Sequence, residues 1–240
     1  MNIKNLFPEP FKKILRPLYR KILQIPEEIP VNPQWLTVKK KLKESKRIID
    51  LGCGSNPVDK ACAGVDLYLD PKERHFGKGS AIDLNKMKER GIRFVNSRVD
   101  AKLPFADKEF DFAYSHHVFE HIDCPATACS EMTRIAKSGA IITPSIFADL
   151  VFGRPYHKWL LMERGNKLLF FKKRSFEDRP FGESRMNPFE MLLNEGDWYQ
   201  GQEGNMPRLS KLLRQHWRSH SPLMEVVFLW EGSFTWEVYD

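Results

Sequence analysis

"IIDLGCGSNP", residues 48–57, decides the fold of this 240-residue chain. A short apolar run surrounds one acid, Asp50, and two glycines, Gly52 and Gly54, follow one residue apart. Because glycine adopts backbone conformations that other residues avoid, this pair predicts a tight turn or a close approach by a ligand. The stretch is therefore typical of a buried parallel strand that ends at a ligand-binding turn.

Strand-like and helix-like segments alternate on the C-terminal side of this turn. The predicted strands are RIIDL, AGVDLYL, IRFVNSRV, FDFAYS (ending at Ser115) and AIITP, and the predicted helices are LNKMKERG and PATACSEMTRIAKSG, the latter with Gly139 as its C-cap. This alternation predicts an α/β fold with a doubly wound, mostly parallel, seven-stranded Rossmann-like sheet. The link between the first two strands has about a dozen residues, so any helix in it has at most one or two turns.

The chain divides into four predicted segments. These are a basic helical arm and linker at 1–46, a ligand-binding core at 47–145, an inserted lid over the substrate at 146–206, and a final helix with a closing antiparallel hairpin at 207–240. Inside the lid, a hairpin is predicted to turn at Gly165 and Asn166.

Positive charge is concentrated in the arm. Residues 1–47 carry 12 Lys/Arg and 4 Asp/Glu, whereas the other 193 residues carry 26 and 27. The amphipathic stretch 1–24 predicts a helix docked on the body or, alternatively, peripheral contact with an anionic membrane. Nucleic acid is disfavoured as a partner, because its footprint would extend over the body. With no signal peptide and no apolar run of roughly 20 residues, we expect a cytoplasmic protein.

Two patterns could indicate metal or thiol chemistry, and we predict neither. Cys53, Cys62, Cys124 and Cys129 lack a C-x-x-C spacing, so reduced thiols are expected. "HVFEH", residues 117–121, matches the H-x-x-E-H pattern of some zinc peptidases. In this framework, however, it is predicted to open the helix after the fourth strand, with His117 and His121 on one helical face. We therefore expect no metal.

The glycine turn suits two classes of ligand, dinucleotides and S-adenosylmethionine. The dinucleotide fingerprint needs a third glycine, and the order here is Gly52-Cys53-Gly54-Ser55-Asn56-Pro57. Pro57 also lies where a pyrophosphate-binding helix needs unoccupied amides. The turn therefore favours a ligand without a pyrophosphate, and a NAD-dependent oxidoreductase is the less favoured alternative.

Four stretches in order resemble the class I S-adenosylmethionine-dependent methyltransferases, in their small-molecule, type 11-like branch. They are IIDLGCGSNP, GVDLY, VDAKLPFADKEFDFAYSHHVFEHI and SEMTRIAKSGAIITPS, within residues 47–145. The resemblance implies S-adenosylmethionine as cofactor. Asp50, Gly52 and Gly54 would flank its methionine part, Asp66 would bind the ribose hydroxyls, and Asp100 with Ala101 would meet the adenine edge. Cys53, Leu67 and Ser115 complete the implied binding set. The chain departs from the family in its short first helix and in Ser138-Gly139-Ala140, where the family has two adjacent glycines.

The reaction implied by the resemblance is methyl transfer to an oxygen or nitrogen of a small-molecule or glycan-like acceptor. A nucleic-acid base is disfavoured, because no N-P-P-Y-type motif follows the fourth strand. His116, just beyond the predicted strand, and His157, in the lid, are the candidate bases. A catalytically silent S-adenosylmethionine-binding or scaffold protein and an RNA methyltransferase are alternatives, and the oligomeric state stays open.

Overall fold

A six-stranded sheet forms the centre of the protein in the computed structural model, which describes residues 32–73, 80–152, 156–173 and 221–240. The strands of the described chain are β1 Ile48–Leu51, β2 Ala61–Asp66, β3 Arg93–Asn96, β4 Phe110–His116, β5 Ala136–Pro144, β6 Trp159–Arg164, β7 Lys167–Lys172, β8 Glu225–Glu231 and β9 Thr235–Tyr239. The central sheet has the order β3-β2-β1-β4-β5-β8, with β8 antiparallel to β5 and the other neighbours parallel. The mostly parallel Rossmann-like sheet is confirmed, with six strands instead of the predicted seven.

The helices are α1 Pro33–Glu44, α2 Leu84–Glu89, α3 Pro125–Ile135, α4 Ile146–Phe152 and α5 Ser221–Met224, with a 3-10 turn at Pro71–Glu73. No helix lies between β1 and β2, where the short link predicted a helix of at most one or two turns. None of the helices in these ranges is long and apolar enough to cross a bilayer. The amphipathic stretch 1–24 of the predicted arm and the predicted helix at 208–220 lie outside the described residues, and the four segment boundaries stay predictions.

Both faces of the central sheet are covered by apolar side chains. The fully buried Val38 of α1 packs with Ile48 and Phe112 on one face. On the other face, Ile49 belongs to the larger core, which includes Met132 of α3. Because successive side chains of a strand point to opposite faces, Ile48 and Ile49 belong to different apolar clusters. The four buried residues of β1 therefore pack against both layers that cover the sheet. Burial on both faces explains the continuous apolar run in the sequence.

A second sheet has the order β6-β7-β9 and corrects the predicted C-terminal hairpin. The β6–β7 hairpin turns at Gly165 and Asn166 as predicted, with Gly165 at φ +62°. β8 and β9 do not pair, because β8 joins β5 in the central sheet and β9 pairs with β7 in parallel. The buried Phe234 between them packs on Phe228 and Trp230, so the link carries the chain across the core instead of reversing it.

Gly139 is a strand residue, and its prediction as a helix C-cap is wrong. α3 ends at Ile135, and Ala136 is already extended at φ −126° and ψ 155°. A Cβ at Gly139 would lie 2.5 Å from the Ala113 carbonyl oxygen and 2.9 Å from Trp230 Cζ2. The glycine is therefore needed for close packing inside the sheet.

Candidate active site

The strand ends β1, β2 and β4 open onto a cavity of about 590 Å³. In open α/β sheets, ligands bind beyond the carboxyl ends of the strands, so this position is the expected one. Six predicted site residues line the cavity, namely Gly52, Gly54, Asp66, Leu67, Asp100 and His157. The predicted residues outside its lining are Asp50, Cys53, Ala101, Ser115 and His116. The sequence therefore predicted six of the residues that line this cavity, and their roles in binding stay predictions.

The glycine turn folds tightly against the end of β2. The backbone amides of Gly52 and Cys53 donate to the Val65 carbonyl at 2.7 and 3.1 Å. Gly52 and Gly54 have φ of +80° and +56°, in the left-handed region that favours glycine. A Cβ at Gly52 would also lie 2.1 Å from Val118 Cγ2. Both backbone conformation and space therefore require glycine at position 52.

Asp66 ends β2 with its carboxylate held by the turn. Its Oδ2 accepts a hydrogen bond from the Gly54 amide at 2.8 Å, and its Oδ1 accepts one from the Tyr68 amide at 3.0 Å. A carboxylate oxygen can accept more than one hydrogen bond, so Asp66 can also accept ligand hydroxyls. This geometry suits the ribose-binding role that the resemblance implies.

Asp100 joins two loops on the opposite wall. Arg98 donates to it through a fork at 2.9 and 2.8 Å, and the amides of Asp123 and Cys124 add bonds of 2.7 and 2.9 Å. Burial alone would raise the pKa of Asp100, but these donors hold it below its usual value. Arg98 and Lys158 also pair with Asp123, which extends the polar wall. The carboxylate of Asp100 thus holds the loop at Asp123 and Cys124 in place, and Asp100 also lines the cavity.

Three of the predicted cofactor residues outside the cavity lining contact the strands and backbone beneath the glycine turn. Asp50, 5% exposed, accepts from the Val58 amide at 2.8 Å. Burial raises the pKa of Asp50 to about 7, although the Val58 amide opposes this shift. Ser115 donates to the Leu51 carbonyl at 2.9 Å. The buried Cys53 fills the space beside Gly64, where a Cβ would lie 2.9 Å from its Sγ.

The two adjacent histidines after β4 differ in environment. β4 continues through His116, one residue beyond its predicted end at Ser115. The His116 ring meets Trp35 edge-on at 5.6 Å, and burial lowers the pKa of His116 to about 4. His117 lines the cavity with Nδ1 3.1 Å from Glu120 Oε1. Although burial opposes the charged form, the carboxylates of Glu120 and Glu225 raise the pKa of His117 to about 9.

The segment 117–121 does not open a helix, and that prediction is wrong. His117 has a left-handed φ of +56°, turns follow it, and α3 begins only at Pro125. His117 and His121 therefore do not share a helical face. The turn instead directs Glu120 and His121 toward His157, a grouping that sequence reasoning missed.

A largely buried polar cluster comprises Glu120, His121, His157 and Asp149, and its first three members line the cavity. His157 Nδ1 lies 2.7 Å from Asp149 Oδ1, and both side chains are buried. His121 Nδ1 lies 3.3 Å from the Tyr156 carbonyl, and its ring meets His157 edge-on at 4.9 Å. Glu120 has no exposed surface. Burial lowers the pKa of His121, which favours its neutral form. No sequence signal identifies Asp149 as the partner of His157.

Comparison with known proteins finds one family model that matches the core. Residues 49–143, from β1 nearly to the end of β5, match the family described as a methyltransferase domain. This match agrees with the resemblance to methyltransferases that the sequence showed over residues 47–145.

Individual relatives cover only parts of the chain. An uncharacterized methyltransferase of Schizosaccharomyces pombe is 26% identical over 139 residues, 52% of this chain and 49% of that protein. Ajmaline N-methyltransferase of Rauvolfia serpentina is 29% identical over 119 residues, 45% of this chain and 39% of that protein. The chain thus spans half or less of the length of these relatives.

A solved structure of phosphoethanolamine N-methyltransferase 2 of Haemonchus contortus, in complex with S-adenosyl-L-methionine, is similar to part of the chain. It is 18% identical with a TM-score of 0.36, and the match covers 47% of this chain and 28% of that one.

Proposed function

We propose that this protein transfers the methyl group of S-adenosylmethionine to an oxygen or nitrogen of a small-molecule or glycan-like acceptor. The observation that carries the proposal is one cavity bounded by the glycine turn and Asp66 on one side and by the polar cluster on the other. The glycine turn has no third glycine for a pyrophosphate, whereas Asp66 can accept the hydroxyls of a ribose. The methyltransferase domain over residues 49–143 supports the same cofactor.

Methyl transfer mainly requires that the acceptor atom be aligned with the methyl group of the cofactor. The acceptor atom forms a bond to the methyl carbon as the sulfur–methyl bond breaks, so the positively charged sulfonium becomes a neutral thioether and the acceptor loses a proton. A cavity that holds both reactants converts this encounter into a step within one complex. The remaining requirement is a group that accepts the proton.

We assign the proton acceptor to His157 in the metal-free protein. Its Nδ1 lies beside the Asp149 carboxylate at 2.7 Å, which stabilises the tautomer with its proton on Nδ1 and leaves Nε2 to accept another. His157 lines the cavity, whereas His116 is outside the lining and packs against Trp35. Of the two histidines predicted from the sequence, His157 is thus the better placed, with Asp149 as its positioning residue.

A transfer assay tests this function. Chelator-treated full-length protein is incubated with methyl-labelled S-adenosylmethionine and pools of hydroxyl, amine and glycan acceptors. We expect label in one pool, and a fall in turnover of about 10²–10⁴-fold for His157→Asn with S-adenosylhomocysteine binding retained. His116→Asn is the matched control and should keep its turnover. Cofactor binding without transfer to any pool would favour the silent binding protein.

We also propose that residues 1–24 of a cytoplasmic protein make peripheral contact with an anionic membrane, and the charge of the N-terminal arm supports this contact. Residues 1–47 carry a net charge of +8. Sedimentation with anionic liposomes should therefore decrease with salt and with removal of residues 1–24. Equal sedimentation of both proteins would contradict membrane contact through the arm.

A further inference from the structure

We propose that Glu120, His121 and His157 bind a first-row divalent metal ion, with zinc as the best fit, on the wall of the cavity. The binding site is argued from the polar cluster alone. Its consequence for catalysis, given last, rests on the proposed function.

The three side chains already surround one point. One ligand atom from each lies within 4.8 Å of the other two, and Glu120 Oε1 is 3.7 Å from His121 Nε2. Ligands around a tetrahedral zinc ion are separated by about 3.3 Å, given bonds of about 2 Å. Small side-chain movements would therefore bring all three into its coordination sphere.

Both imidazoles have an oxygen acceptor close to Nδ1, so Nε2 of each ring can bind a metal. Asp149 Oδ1 lies 2.7 Å from Nδ1 of His157, and the Tyr156 carbonyl lies 3.3 Å from Nδ1 of His121. An oxygen at Nδ1 stabilises the proton there, which leaves the Nε2 lone pair available. A carboxylate behind a metal-binding histidine is a recurrent arrangement, and it orients the ring and increases its basicity.

Two buried carboxylate oxygens of the cluster without a hydrogen-bond donor among the described residues provide an independent reason for a cation. Glu120 is completely buried, and its Oε2 has no hydrogen-bond donor among the described residues. Asp149 Oδ2 is also buried and likewise has no hydrogen-bond donor among the described residues. A buried carboxylate oxygen without a donor is costly, and a metal ion bound through Oε2 of Glu120 would supply the missing partner while Oε1 stays paired with His117.

The ligand set indicates which ion. Two imidazoles and one carboxylate suit zinc and its first-row neighbours, whereas magnesium and calcium prefer oxygen ligands. Three protein ligands leave one position on zinc, as in catalytic sites, and here it would face the cavity. With the ion bound, an acceptor hydroxyl at that position would have a lowered pKa and release its proton to solvent, and His157 would be a ligand instead of a base.

A second histidine group provides the control. His116, His117 and Glu225 also have ligand atoms within 4.8 Å of one another. Glu225 Oε2 already accepts from Trp35 Nε1 at 3.0 Å, and His117 Nδ1 is engaged by Glu120. His116→Asn therefore alters a neighbouring histidine without removing a ligand of the proposed site.

Zinc titration of the chelator-treated full-length protein tests the proposal. We expect the zinc affinity to fall by more than about 100-fold in His121→Asn and His157→Asn, and to be unchanged in His116→Asn. Asp149→Asn removes no ligand and should weaken zinc by about 10–100-fold. Melting curves verify folding, and the cobalt spectrum of the unmodified protein should show imidazole and carboxylate ligands without thiolate bands, which a cysteine site would produce.

Several results would overturn the site. These are the absence of zinc binding, zinc affinity that survives His157→Asn, loss in His116→Asn alone, or thiolate bands with cobalt. S-adenosylhomocysteine is titrated separately into the same protein. Cofactor binding without zinc binding refutes only the metal site, and zinc binding without cofactor binding refutes only the proposed function.

Discussion

Replacement of Asp50 by asparagine tests the electrostatics behind the glycine turn. Burial raises the pKa of Asp50 from 3.8 to about 7. Because the native carboxyl binds its proton more tightly than the unfolded one, the free energy of unfolding falls as pH rises from about 4 to about 7, by up to about 1.4 kcal/mol per unit. Above about pH 7 the contribution of Asp50 to the free energy of unfolding no longer changes with pH. Asparagine keeps an acceptor for the Val58 amide, now 2.8 Å from Oδ2, and cannot ionise.

Urea unfolding at two pH values measures this contribution. The unfolding free energy of Asp50→Asn, relative to the unmodified protein, should rise by about 2.5 kcal/mol between pH 5 and pH 8. Taking the difference between proteins cancels the other titrating groups. Asp59→Asn, an exposed position on the same loop, is the matched control and should show no such rise. A pH-independent difference for Asp50→Asn would refute burial as the control of its ionisation.

Two other substitutions test the fold around the cavity, with urea unfolding as the measurement. Gly52→Ala puts a methyl group 2.1 Å from Val118 Cγ2 at φ +80°, so we expect a loss of about 2–4 kcal/mol. Adding Val118→Ala to Gly52→Ala should restore only the stability that the clash with Val118 removes. Complete recovery of the unfolding free energy would contradict a contribution from the backbone conformation at position 52. Arg134→Met removes a fork of 2.8 and 2.7 Å to Glu131, which is 9% exposed, so we expect a loss of about 3 kcal/mol. Lys137→Met, which breaks a more exposed ion pair, should cost about 1 kcal/mol or less, and an equal loss in both would contradict the role of burial.

The parallel sheet was predictable because its signals are local. The apolar run at Ile48–Leu51 and the glycines after it specify a buried strand and a turn without reference to distant residues. The path of β9 was not predictable in this way. The short link after β8 is typical of a hairpin, but the packing of Phe234 on Phe228 and Trp230 carries the chain to the other sheet. Gly139 is a similar case, since its neighbour Trp230 is far away in sequence.

The cavity wall at the glycine turn followed from the sequence, and the polar cluster did not. Gly52, Gly54 and Asp66 come from two consecutive strand ends, which a parallel sheet places together. His121 and His157 meet because the backbone turns at His117, whose left-handed φ of +56° is uncommon for a residue other than glycine. That conformation has no reliable sequence signal, and the H-x-x-E-H spacing suggested a helix instead.

Calorimetric titration with S-adenosylhomocysteine is the most direct test of the central claim, that this cavity binds the cofactor of a methyltransferase. We predict binding to the unmodified protein, no binding of NAD, and about ten- to a hundredfold weaker S-adenosylhomocysteine binding in Asp66→Ala, because hydrogen bonds to a charged group are lost. Asp70→Ala, at an exposed acid just beyond β2, should bind like the unmodified protein. Unchanged affinity in a folded Asp66→Ala protein, or binding of NAD in place of S-adenosylhomocysteine, would contradict the account.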